Sequence, residues 1–587
     1  MILQALTAYY EQLLRQGQIS SPGWDNKFKV SFWLKLDENG TLIDLVDCRR
    51  MVPKGKKEVL SPQEISVPAH VKRTAGVAAN FLCDNSSYLL GADEKGKPER
   101  AVQCFQACAK LHHKILDDID CPSAKAILNY FDTWNPEQAS VHPLLVDSWK
   151  ELTGNANLIF CVETADGSQL ATTDPLIQDV WQRYYNADDP DADSAQCLIT
   201  GKQAPVALVH PPIKGVLGAQ SSGAALVSFN APAFCSYGHE QGANAPVSEY
   251  AAFAYTTALN TLLSDRNHCK VIGDTTVICW AENASPALAT LGMAAMFGPP
   301  EDSGIHDEDL SKALGLLADG KPCSWLKEML TPDQHFYFLG LSPNAARVSV
   351  RFFLRDTLQT FAGHMQQHFD NLKIVRPSYD KRELLSIWAL AMETVNRKER
   401  NPSPSPQLVG DLLRSILTGG IYPATLLHGV TLRIRAEHEI TRGRAAILKA
   451  YYLRNASPLS KHKEVLTVKL NEESKYCPYV LGRLFAVLEA VQDAANPNLN
   501  TTIKDRYFNS ACSTPAVVFP TLVKLTQKHL QKLEKGNRTF YNQQITSLMS
   551  KLDETFPSRM TLPEQGAFEL GYYHQTQKRY AKKIEEE

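Results

Sequence analysis

Hydrophobic and polar positions change period several times along this chain. At the N-terminus, MILQALTAYYEQLLRQG places apolar residues at helical spacing without a basic leader region, and predicts an amphipathic helix that is part of the fold. FKVSFWLKL and TLIDLVD then alternate with period two about Asp37–Gly40, whose Asn39-Gly40 pair suits a tight connection, so Phe28–Asp47 predicts an antiparallel hairpin. From Ala101 to Trp149 the period becomes helical. Asp174 followed by Pro175 reads as the N-cap and first turn of a helix reaching Tyr185. The short apolar runs NLIFCV, VALVH, AALVSFN and TTVICWA predict strands, and FYFLGLS with ARVSVRFFL predicts a second hairpin about Ser342-Pro-Asn.

Pro402, Pro404 and Pro406 in RKERNPSPSPQL interrupt a charged helix and enforce extended backbone. Beyond them DLLRSILTG, TRGRAAILKAYYLRN, YVLGRLFAVLEAVQDAAN, AVVFPTLVKLTQKHLQKLEKG, NQQITSLMSKLDETF and AFELGYYHQTQKRYAKKI all carry apolar residues three and four apart. The expected fold class is therefore α+β. An N-terminal mixed α/β part with antiparallel hairpins spans 1–400, with a subdivision near 190 or 330, and a helical bundle follows over 401–587.

A length of 587 residues exceeds what one hydrophobic core ordinarily serves. No apolar run approaches the roughly 20 residues that span a bilayer, and 13 cysteines without a C-x-x-C pair suit a reducing compartment. A cytoplasmic protein without disulfides is expected. The net charge of −2 hides an asymmetry: residues 430–587 hold 24 Lys and Arg against 16 Asp and Glu, so the preceding part is acidic.

The segment from Cys197 to Asn260 surrounds short apolar runs with glycines, hydroxyls and amides. Gly215, Gly218 and Gly223 free the backbone for positive φ, and Lys214, Gln220, Ser221 and Ser222 set donors beside it, a setting for a phosphate or a base edge. A tight glycine turn leading into AALVSFN explains the same pattern. Gly218 and Gly223 have P-loop spacing, but Ala224 and Ala225 replace the Lys and Ser/Thr that reach phosphate and Mg²⁺, which argues against nucleotide hydrolysis. In HMQQH, His364 and His368 share a helix face while Met365 stands where a zincin has its general base. Cys104, Cys108 and His112 could face one side of a helix toward zinc, but a fourth ligand is missing nearby and packed thiols explain them better. Cys235 with His239 has neither an orienting acid nor an oxyanion site. No catalytic residue, metal or cofactor is expected.

CLITG, HPPIKGV, GAQSSGA, LVSFN and NAPVSE in this segment, VKRTAGVAANFLCDNSSYLLG, SPNAARVSVRFF, and the blocks YVLGRLFAVLEAVQDAAN and LNTTIKDRYFNSACSTPAVVFP, taken in order, resemble the large subunit of the type I-C CRISPR Cascade surveillance complex. The resemblance covers nearly the whole chain. It implies a non-catalytic subunit of a crRNA-guided antiviral complex that recognises the protospacer-adjacent motif in duplex DNA, promotes strand opening, stabilises the R-loop and supports recruitment of a helicase-nuclease. Guide pairing then reads the long target, leaving the protein a short groove contact and a grip on backbone. On that footing Asn80, Gln220, Ser221, Ser222, Asn230, Gln241 and Asn244 are the expected motif readers, though Asn often serves instead to stabilise loops. Lys54, Lys56, Lys57, Lys72, Arg73, Lys214, Arg347 and Arg351 are the expected phosphate contacts, and Arg433, Arg435, Arg442, Arg444, Lys449 and Arg454 the expected track for the displaced strand.

Implied partners are crRNA, target DNA, the backbone and 5′-handle subunits, and the helicase-nuclease. The resemblance also implies a small subunit made from an internal start, covering the chain from about residue 465. Met392 lies too early and Met549 too late, which points to a non-AUG codon near Val465 or Val468. Two rival readings are a protein scaffold that never touches DNA and a metal-dependent enzyme using the Cys/His groups.

Overall fold

Alternation along Phe32–Leu36 (β1) buries Phe32, Leu34 and Leu36 and leaves Trp33 and Lys35 partly exposed. A computed structural model describes the chain except residues 55–56, 72–75, 94–97, 155, 165–166, 186–193, 300–302, 458–459, 498, 500 and 585–587, and except the side chains of 27, 53, 54, 57 and 581–584. The chain is an α+β protein that divides into two units. The first comprises Met1, Leu3–His210 and Phe229–Thr257, and the second Ile2, Pro211–Ser228 and Ala258–Glu587.

In the first unit the predicted N-terminal helix forms as α1 (Ile2–Arg15), and β1 hairpins with β2 (Leu42–Asp47), while Phe28–Val30, expected on the same strand, instead pairs with Gln63–Ile65 across a break at Ser31. Asp37 closes the turn: its Oδ1 accepts the amides of Asn39 and Thr41, and Gly40 takes φ 85° where an added Cβ would meet the Ala126 carbonyl at 2.5 Å. The other strands of this sheet, β3 (Cys83–Asn85), β4 (Asn157–Thr164) and β5 (Gly167–Leu170), give the order β2-β1-β4-β3, with β5 on β4. β1 and β4 run parallel, and their crossover carries α2 (Pro98–Leu116) and α3 (Pro122–Thr133). Leu158–Val162 of β4 is buried without a break because both faces of a central strand are covered. Asp174 caps α4 (Pro175–Tyr185) as expected, its Oδ1 accepting Leu176 N–H at 3.0 Å. Two predicted strands are absent: VALVH and AALVSFN make only isolated bridges.

α5 (Glu249–Ser264) crosses from the first unit's residues to the second's. The second unit is built on a meander, β6 (Cys269–Ile272), β7 (Thr275–Ala281), β8 (His335–Asn344) and β9 (Arg347–Thr357). The β8–β9 turn falls at Ala345–Ala346, not at Ser342-Pro-Asn, which lies within β8. Gly340 faces Phe352 and Leu341 faces Val350, so Arg351 is the extra residue of a bulge.

One apolar cluster runs from Ile272 to Tyr573 and joins helices on both sides of the proline run, so position 401 falls inside the second unit. Its later helices include α6 (Ala424–Glu437), α7 (Arg442–Asn455), α8 (Cys477–Ala495), α9 (Pro515–Gln531), α10 (Lys535–Met549) and α11 (Leu562–Ile584). Among the described residues no helix is long and apolar enough to cross a membrane.

α8 and α11 cross at glycines. A Cβ on Gly482 would stand 1.9 Å from the Phe568 carbonyl oxygen, and one on Gly571 2.2 Å from that of Tyr479. Around the crossing the Tyr479 hydroxyl pairs with His574 Nδ1 at 2.8 Å and Tyr572 donates to Glu489 at 2.6 Å. Gly482→Ala is expected to destabilise the second unit by about 1–3 kcal/mol through overpacking. Gly363→Ala, in a helix with nothing within 4 Å of the new methyl, is expected to stabilise by about 0.5–1 kcal/mol. Thermal melts of the two variants should therefore shift in opposite directions, and a shared direction would mean that the helices separate freely.

Candidate nucleic-acid interface

Residues 211–228 bury Ile213, Val216 and Ala224, and are also held by backbone pairing. Ile213 and Ala224 exchange hydrogen bonds at 2.9 and 2.8 Å, which closes the intervening residues into a loop. Ala225 then pairs with the start of β9, donating to Ala346 O at 3.0 Å and accepting from Val348 N–H at 2.9 Å. Thr276 on β7 accepts the Leu217 amide at 3.2 Å. Asn260, at the end of α5, clamps the base: Oδ1 accepts Lys214 N–H at 2.8 Å and Nδ2 donates to Pro212 O at 3.1 Å. Gly215, Gly218 and Gly223 have φ of 92°, 79° and 102°. At Gly223 a Cβ would also lie 2.6 Å from that of Pro212, so both conformation and space require glycine.

The loop thus presents Lys214, Gln220, Ser221 and Ser222 exposed on a fixed backbone. Its docking brings Arg347 alongside Ala225. Arg351 projects from the bulge next to exposed Val350 and reaches Asp274 at 3.2 Å, whereas Val348 is buried, so strict alternation fails at this point. Asn260 and Thr276 were not legible as parts of this loop, since nothing local distinguishes an amide or hydroxyl that clamps a distant backbone.

The other expected readers belong to the first unit. Asn80 is 4% exposed, its Oδ1 accepts Val71 N–H at 2.9 Å and its own N–H donates to Asp84 at 3.0 Å, so it supports the backbone leading to Lys72. Asn244 is also a brace: Oδ1 accepts Ser236 N–H at 2.8 Å, and Nδ2 donates to the carbonyls of His239 and Gln241 at 3.1 and 3.0 Å. Asn230 and Gln241 are exposed. Lys56, Lys72 and Arg73 lie outside the described residues. Lys54 and Lys57 end the paired strands Arg50–Lys54 and Lys57–Ser61, with their side chains outside the description.

Three cations expected at the surface are internal. Arg442 is 8% exposed and donates to Asp380, Arg382 O and Glu383 O at 2.6–3.1 Å. Arg444, 2% exposed, donates to Glu437 at 2.5 Å and Glu439 O at 2.9 Å. Lys449, also 2% exposed, donates to Asn371 O at 2.6 Å, and burial lowers its ammonium to about 8. The reason is positional, because most of α7 faces the core and these cations donate to carbonyls and carboxylates there. Arg433 pairs with Glu437 at 3.7 Å, and Arg454 lies over the Tyr422 ring at 4.7 Å and donates to Ser415 O at 3.3 Å. Along α9 and the start of α10, Lys524, Lys528 and Lys535 are exposed.

The groups considered for catalysis have structural partners. His112 Nε2 accepts Leu82 N–H at 2.9 Å, which uses its lone pair, Nδ1–H donates to Cys108 O at 2.8 Å, and burial lowers the ring to about 4. His364 Nδ1 meets Leu417 O at 2.8 Å, and His368, buried and lowered to about 3, pairs with the Tyr422 hydroxyl at 2.7 Å. Cys235 Sγ lies 3.7 Å from Ala231 O.

The polar loop is thus locked to a sheet edge beside Arg347. The chain belongs to the family described as CRISPR-associated protein (Cas_Csd1), whose model matches residues 6–580. That membership makes it a Cascade subunit. No curated protein matches it.

Arg435 also bears on the stability of the second unit. It donates to Gln565 at 2.8 Å and partly offsets the burial of Glu569, a carboxyl 2% exposed that burial pushes up to about 8. The unfolded chain releases this proton near the ordinary value of 4.5. Between about pH 4.5 and 8 the folded state therefore holds a proton that the unfolded state has lost, and stability falls as pH rises through that window. Glu569→Gln should remove this slope, with an advantage over wild type in urea midpoint that grows from pH 5 to pH 8 to the order of a few kcal/mol. An advantage equal at both ends would show Glu569 already ionised in the fold.

Proposed function

We propose that this chain is the non-catalytic large subunit of a type I-C Cascade, reading the protospacer-adjacent motif in duplex DNA and promoting strand opening. The observation that carries the reading is the loop of residues 211–228, whose ends and middle are pinned to β7, β9 and α5 while Lys214, Gln220, Ser221 and Ser222 face solvent near Arg347. Reading a groove edge requires donors and acceptors held on rigid backbone, and phosphate contacts that fix register beside them. Lys214, Arg347 and Arg351 supply the latter. Asn80 and Asn244 act as supports for neighbouring backbone in this reading. Lys72 and Arg73, following the Val71 amide held by Asn80, add phosphate contacts, and Lys54, Lys56 and Lys57 guide incoming duplex.

The displaced strand is held by cations at the surface of the second unit, with Arg435 exposed and Arg433 and Arg454 partly buried. Arg433, Arg435 and Arg454 remain candidates at its rim, Lys524, Lys528 and Lys535 join them, and buried Arg442, Arg444 and Lys449 are left out because their charges are already compensated. R-loop formation then supports recruitment of the helicase-nuclease. The part from about residue 465 is also made separately as a small subunit, a reading favoured by the α8–α11 glycine crossing, which lies wholly within it.

Binding of the reconstituted complex to guide-matched duplexes with a randomised flanking motif tests the reading at fixed salt. Gln220→Ala should lose about 1–3 kcal/mol of discrimination at one motif position. Lys214→Glu with Arg347→Glu should weaken all sequences together and reduce the salt slope by about 2. Unchanged preference and affinity in both variants, with assembly intact, would leave the chain a protein scaffold. Separately, ribosome profiling should find initiation between Asn455 and Leu481, and none there would eliminate the internal product.

A further inference from the structure

The loop 231–245 of the first unit spends hydrogen bonds and backbone strain on displaying one aromatic ring. Ser236–His239 is a tight turn closed by His239 N–H to Ser236 O at 3.0 Å, and its central residues Tyr237 and Gly238 have φ of 55° and 78°. That combination is the type I′ pattern, in which the first central position favours Asn, Asp or Gly and a bulky side chain is strained. Tyr237 nevertheless occupies it, and is 99% exposed. The three hydrogen bonds of Asn244 hold the turn from beneath, and Phe234, 45% exposed, flanks it.

Strain and full exposure of a large ring both oppose stability, so a residue that accepts both at a braced tip points to a ligand. We infer that Tyr237 stacks on an unpaired nucleobase of the opened target. This rests on the proposed DNA-reading role and adds to it the residue that receives a base leaving the duplex. Ring geometry favours a base over a protein partner. The tip is a single ring with polar neighbours, Ser236, His239 and Gln241, all exposed, and nothing stands within 4 Å of where a Gly238 Cβ would be, so a flat partner has access to the turn. Aromatic stacking accepts any base because every base has a π face.

The test uses the complex reconstituted with the full-length chain, guide RNA and a matched duplex carrying 2-aminopurine at the positions flanking the guide-paired stretch. Tyr237→Asn should relieve the turn and raise the melting temperature of the chain, yet reduce the rate or extent of the fluorescence rise on opening about five- to a hundredfold. Tyr237→Phe should stay within about twofold of wild type. Opening by Tyr237→Asn at the wild-type rate would overturn the inference. So would a variant that fails to assemble but opens DNA normally in its assembled fraction, which would make the tip a protein contact. A wild-type complex that shows no motif-dependent binding would remove the proposed function and this inference with it. Normal motif-dependent binding with an indifferent Tyr237 would remove the inference alone.

Discussion

The pairing of Ala225 with the first residues of β9 is the constraint on which the candidate interface depends. Residues 211–228 bury Ile213, Val216 and Ala224, but their glycines lose much conformational entropy on ordering. Here the cost is offset by backbone hydrogen bonds at its ends and by single side-chain clamps, Asn260 and Thr276, along its length. The two-residue Ala345–Ala346 turn matters for the same reason, since it sets where Arg347 begins β9 and hence where the loop docks.

Burial sorts the cations of the second unit more sharply than their spacing does. Arg442, Arg444 and Lys449 lie on a helix surrounded by others, and each has replaced water with carbonyls or carboxylates of the same unit. Removing one partner of such a set leaves an uncompensated charge, so these residues matter to the fold. Glu569 takes the opposite course: with Arg435 as its nearby cation, burial keeps it protonated. Cations with surface to offer, such as Lys524 and Lys528, lie on the outward face of α9.

Asn80 and Asn244 show how one residue type serves two ends. Both are amides in polar segments, the signature sought for a groove reader, and both turn inward to hold backbone. What Asn244 holds is the strained turn of Tyr237, so the amide visible in sequence is a support and the exposed group is an aromatic that carried no motif.

Periodicity by itself determined the N-terminal helix, α4 and most helices after the proline run, the β1–β2 hairpin with its Asp37–Gly40 turn, and the pairing of FYFLGLS with ARVSVRFF, because those elements follow from local repetition of apolar positions and from turn residues a few positions apart. The ordered resemblance blocks determined the family. Tertiary structure decided the rest: that VALVH and AALVSFN are bridged loops, that the Cys197–Asn260 segment is divided between two units, that Arg351 sits in a bulge, and which cations face inward. The physical reason is common to all four. Whether a polar backbone or a charge meets water or a partner depends on residues far away in the chain, and local pattern holds no record of them.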